Sequence, residues 1–65
     1  MDSFSFYRAS IGDSYEYYYI AHSCSLYCVI NLTSKYIKIF LSENLLVNYF
    51  NKYEGNIEKI DLRFD

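Results

Sequence analysis

The sequence predicts an α+β domain, a mainly antiparallel sheet with one helix in the order β-β-β-β-α-β. Side chains fall into two alternating sets with period two through residues 3–9, 26–33 and 36–41, as in half-buried strands, and residues 15–22 are an aromatic-rich run. The period then changes. Leu45, Leu46, Tyr49, Phe50 and Tyr53 fall within an arc of about 140° at about 100° per residue, an amphipathic helix stripe. Alternation returns at the end, where Ile60, Leu62 and Phe64 interleave with Asp61, Arg63 and Asp65.

Each element has its own signals. Residues 3–9 put Phe4 and Phe6 on one side and Ser3, Ser5 and Tyr7 on the other, a first strand. Ile11-Gly12-Asp13-Ser14 carries turn chemistry, and the aromatic run 15–22 closes a hairpin. After a short connection through Ser23, Cys24 and Ser25, residues 26–33 alternate Leu26, Cys28, Ile30 and Leu32 against Tyr27, Val29, Asn31 and Thr33. Thr33-Ser34-Lys35 turns the chain into strand 36–41. Ser42 is placed to cap a helix over residues 43–53, with Leu41 and Leu46 as a hydrophobic staple. Gly55 suits the left-handed position that ends it, and residues 60–64 make the last strand.

Residues 1–65 are one domain of 7.8 kDa. Folding a chain of this mass leaves about 4,400 Å² exposed and buries only about 60% of the open chain's surface. Domains this small are marginal unless stapled, metal-bound or oligomeric. Two cysteines cannot build a disulfide framework, yet 52% of the residues are apolar and 22% aromatic. That surplus predicts a homodimer.

The nine tyrosines are the strongest functional signal, four of them crowded into residues 15–19. Tyrosine offers a large, stiff, amphipathic contact and is enriched in protein interfaces. One short helix covers one sheet face, and the set Leu26, Cys28, Ile30, Ile37, Ile39, Leu62 and Phe64 is expected beneath it. Alternation turns Tyr27, Val29, Tyr36 and Phe40 the other way, grouped with Tyr7, Tyr17 and Tyr19. Tyr7, Tyr17, Tyr19, Tyr27, Tyr36 and Phe40 are therefore the candidate binding residues. The competing reading makes them a strand half buried on both sides.

Other chemistry finds little footing. A net charge of -2 with scattered cations argues against a nucleic-acid surface. His22-x-Cys24-x3-Cys28 offers three zinc ligands without the second pair a structural site needs, so no metal or cofactor is expected. A Cys-His pair lacks an orienting third residue, and Gly12 and Gly55 lie too far apart for a phosphate loop. No catalytic residues are assigned. Asn31-Leu32-Thr33 has the form of a glycosylation sequon inside a predicted strand. The N-terminus lacks the pattern of a signal peptide, and the most apolar stretch, 20–32, is too short to cross a bilayer. A soluble, cytoplasmic protein with no membrane association is expected.

Residues with AT-rich codons (Phe, Tyr, Met, Ile, Asn, Lys) number 31, against 6 with GC-rich codons (Gly, Ala, Arg, Pro). Such a gene suits low-GC bacteria and their phages. In size, coding bias, absence of a catalytic signature and surplus of aromatics, the chain resembles the short anti-CRISPR-like inhibitors that phages encode against bacterial defence systems. The likeness is one of profile, without a shared motif. It implies a non-enzymatic protein that acts in the cytoplasm of a bacterial host by binding a host protein. Two other classes compete: an antitoxin-like or regulatory dimer contacting nucleic acid, and a minimal metal-dependent enzyme.

Overall fold

The computed structural model describes residues 3–61. Its elements are β1 (Ser3–Ile11), β2 (Ser14–Ser23), β3 (Leu26–Asn31), β4 (Tyr36–Phe40), α1 (Glu43–Phe50) and β5 (Ile57–Ile60). The strands form one sheet in the order β4-β3-β2-β1-β5, with every neighbouring pair antiparallel. The predicted class and element order hold.

Tight turns join the first four strands. Gly12, at φ +58, lies between the paired residues Ile11 and Ser14. Cys24 and Ser25 both take left-handed φ (48 and 69) between the paired Ser23 and Leu26. Positive φ at both central residues matches the right-handed strand twist, although neither residue is glycine. β3 stops at Asn31, short of the predicted Thr33, because the Asn31 side chain takes over the backbone bonding. Its oxygen accepts from the N–H groups of Thr33 and Ser34 at 2.9 and 2.8 Å. Its amide donates to the Tyr36 hydroxyl at 3.3 Å. The sequon-like asparagine is fully buried.

β4 and β5 lie at opposite edges, so the chain between them crosses one face of the sheet. Ser42 caps α1 as expected, its hydroxyl accepting from Leu45 N–H at 3.3 Å. After Phe50 the helix tightens into a 3-10 turn at Asn51–Tyr53 and ends on left-handed Glu54 and Gly55. β5 starts earlier than the predicted Ile60, because Ser10 N–H binds the Asn56 carbonyl at 3.0 Å directly after the turn. The predicted Leu62 and Phe64 lie outside the described residues.

The core is small: Ala9, Tyr18, Val29, Phe50 and Tyr53, ringed by Tyr7, Ile20, Phe40, Leu46, Tyr49 and Ile57. Phe50 packs edge-on against Tyr18 and Tyr49 at 4.8 and 5.1 Å. Of the helix stripe only Leu45 turns away, 51% exposed.

The two sheet faces are exchanged relative to expectation. The helix covers Tyr7, Ala9, Tyr18, Ile20, Val29, Asn31 and Phe40, and leaves Leu26, Cys28, Ile30, Ile37 and Ile39 open. Pairing chemistry accounts for this. The helix brings Tyr49 and Tyr53, whose buried hydroxyls need partners. Only the Tyr18, Glu16, Asn31 and Tyr36 face supplies them: Tyr53 and Tyr18 meet at 2.5 Å, and Tyr36 bonds Tyr49. Ala9, fully buried, leaves room for the rings above it.

Candidate functional site: the open sheet face

The face turned away from the helix is built by strand register. Ile37 pairs with Ile30, Ile30 with Tyr19, Tyr19 with Phe6, and Phe6 with Ile60. This apolar row crosses all five strands. A second row runs Ile39, Cys28, Ala21, Phe4. Leu26 flanks one side and Tyr17 the other. The outermost side chains stand clear of the protein: Phe4 is 67% exposed, Ile39 64%, Ile37 63% and Tyr17 42%. The rings brace one another, with Tyr19 stacked on Phe4 at 5.7 Å and edge-on to Phe6 at 5.0 Å.

Among the described residues of this face, charge is confined to one corner. Arg8 and Glu58 pair across β1 and β5 and form a salt bridge. Arg8 also lies 5.0 Å from the centre of the Tyr15 ring, a cation–π contact. The Arg8 guanidinium is held above its ordinary value, chiefly by the Glu58 carboxylate.

The predicted binding residues divide between the two faces. Tyr17 and Tyr19 lie on the open face. Tyr7 and Phe40 pack around the core, Tyr36 bonds Tyr49, and Tyr27 stacks on His22 at 4.1 Å, all on the helix side. The phase of β2 against β3 is the reason: Tyr18, not Tyr17 or Tyr19, pairs with Asn31. Phe4, Phe6, Ile30, Ile37 and Ile39 are the site residues that sequence reasoning left out. The signal available for them was the tyrosine content of the helix stripe, which demands a polar-capable face beneath it.

Beneath the helix, polar chemistry is spent on packing. The Glu16 carboxylate sits below its ordinary value, chiefly because the Tyr53 hydroxyl donates to it. Burial and this carboxylate push Tyr53 up to about 12. Burial, with the Tyr53 hydroxyl next, raises Tyr18 as well. An apolar groove of about 320 Å³ beside the helix is lined by Tyr7, Ile20, Leu46, Val47, Phe50 and Ile57. Cys24 is exposed in its turn and Cys28 half-buried on the open face, both as free thiols. His22 pairs with Tyr27 on the helix side, so the three potential ligands diverge. Among the described residues no three His, Cys, Asp or Glu are grouped to hold a metal ion, and no helix is long and apolar enough to cross a membrane.

No protein-family model, curated protein or solved structure matches this chain.

Proposed function

We propose that this chain is a small, non-enzymatic protein-binding module whose open sheet face is the docking surface. One observation carries the reading: the row Ile37, Ile30, Tyr19, Phe6, Ile60 crosses the whole sheet, and among the described residues it carries no charge and no element covers it. Soluble monomers rarely leave contiguous apolar patches of more than a few hundred Å² bare, and larger ones mark interaction sites. Exposed rings and aliphatic side chains in a fixed array suit another protein surface. Nucleic acid would require free cations, and Arg8, the cation of this face among the described residues, is engaged by Glu58. The likeness to short phage inhibitors supports a host defence protein as the ultimate target.

Phe4→Lys tests the reading. Mass in solution by light scattering, together with affinity capture from host-cell extract, reports association with any protein. Phe4→Lys should abolish association, whereas Leu45→Lys, 51% exposed but on the helix, should retain it. Equal behaviour of the two variants would end the assignment of the surface.

A further inference from the structure

We infer that the occupant of the open face is a second copy of this chain, packed sheet to sheet about a two-fold axis with the helices outside. The inference rests on the docking-surface reading above and names its partner.

The area suffices. Five strands, each occupying about 4.8 Å of the sheet, take up about 24 Å of width, and the rows from Leu26 to Tyr17, about 6.8 Å apart, span about 20 Å. The face therefore projects about 500 Å² per copy, and a pair would bury about 1,000 Å² before side-chain relief is counted. Specific interfaces begin near about 1,000 Å².

The energetics favour a partner present from the moment of folding. Among the described residues, 3–61, five apolar residues form the buried core, little for a domain of this size. Small domains recover that deficit by oligomerising. A second copy is made alongside the first, in equal amount, with the same charge-free rows. A two-fold interface also needs no second complementary surface, because the same patch serves both sides.

Among the described residues the face brings no unpaired charge to the closure. Arg8 and Glu58 neutralise each other at the corner, so no unpaired charge is stripped of water. Two such faces pack as an aligned sandwich, about 10 Å apart and rotated by about 30°.

The sheet edges compete poorly. β4 has five residues with exposed Lys38 at its middle, and β5 has four with Glu58 and Lys59 at its centre. Two-fold pairing about any of these residues sets like charge against like. With the open face sealed, the groove beside each helix stays on the outside of the pair for other partners.

Sedimentation of the wild-type chain and of Ile39→Lys at micromolar concentration tests the inference. Ile39 is 64% exposed in a single copy and lies outside the buried core, so the lysine can carry its charge into solvent. The wild type should sediment at twice the chain mass, Ile39→Lys should associate at least tenfold more weakly, and Leu45→Lys should match the wild type. If Ile39→Lys does not fold, the wild-type melting temperature decides: it should rise with protein concentration, and a concentration-independent melt overturns the inference. A wild-type monomer whose capture of host protein is lost in Phe4→Lys overturns the second copy but leaves the docking surface standing. No change in mass or capture removes both.

Discussion

Tyr18 and Tyr53 meet hydroxyl to hydroxyl at 2.5 Å in the centre of the core, and both turn toward the carboxylate of Glu16. One comes from the middle strand of the sheet and the other from the turn after the helix, so this contact locks the crossover to the sheet. Asn31, Tyr36 and Tyr49 make a second such link nearer β4. Lys52 lies over the Tyr49 ring at 4.5 Å and closes that side.

Tyr53→Phe should therefore cost more than the loss of one oxygen suggests. It leaves Glu16 without its principal donor and Tyr18 without its nearest partner. Tyr18 keeps only its longer bond to Glu16, at 3.3 Å, and losing a hydrogen bond to a charged group costs about 1.5–3 kcal/mol, a large part of a small domain's stability. Chemical denaturation at fixed protein concentration should show a loss of that size. A change within a few tenths would mean that water replaces the hydroxyl.

The same cluster dictates the pH dependence. The carboxyl of Glu16 is depressed in the fold, so its contribution is present above its ordinary titration and is lost as pH falls through the folded value. Tyr18 and Tyr53 are raised, so the unfolded chain loses its phenolic protons first. Their contribution is complete below about pH 10, the ordinary phenol value, and drains away above it. Melting temperature against pH should fall on both limbs. Glu16→Gln should flatten the acid limb. By phenolate absorbance, Tyr18, Tyr49 and Tyr53 should ionise last, together with loss of the fold; their early ionisation in the folded protein would contradict the buried cluster.

Phe50→Ala should largely unfold the protein. Phe50 is 9% exposed and sits among Tyr18, Tyr49 and Tyr53, with no neighbour able to fill its place. Truncating such a ring costs about 3–5 kcal/mol. Loss of cooperative melting in circular dichroism is expected. An unchanged melt would put the helix stripe in solvent.

Local signals were legible in the sequence, and the choice of face was not. Ser42, the change of period after Leu41 and the pair Phe50 and Tyr53 located the helix and its buried side. Gly12 located the first hairpin. Alternation in β3 and β4 separated Leu26, Cys28 and Ile30 from Tyr27, Val29 and Asn31 correctly. Alternation is symmetric, however, and both sets are apolar enough to be core. What decides between them is non-local, namely which set can satisfy Tyr49 and Tyr53 and which carries a small residue such as Ala9 under the crossover. The same blindness to register grouped Tyr17 and Tyr19 with Tyr36, although the pairing of Tyr18 with Asn31 puts them on opposite faces.

Two turn substitutions should shift stability in opposite directions for one reason. Ser25 is exposed and holds φ +69, and Gly12 holds φ +58 with open space where a Cβ would sit. A side chain in the left-handed region costs about 1–2 kcal/mol through its clash with the following carbonyl, and glycine escapes that cost. Ser25→Gly removes an existing strain, partly offset by the greater freedom of glycine in the unfolded chain. Gly12→Ala introduces a strain that no packing contact repays. Ser25→Gly should raise and Gly12→Ala lower the stability by about 1 kcal/mol each. For a domain of this size that is about 4–8 °C in melting temperature. Protein concentration must be held constant, because association itself moves the midpoint. Shifts of the same sign would show that contacts made by these residues, and not backbone strain, govern the two turns.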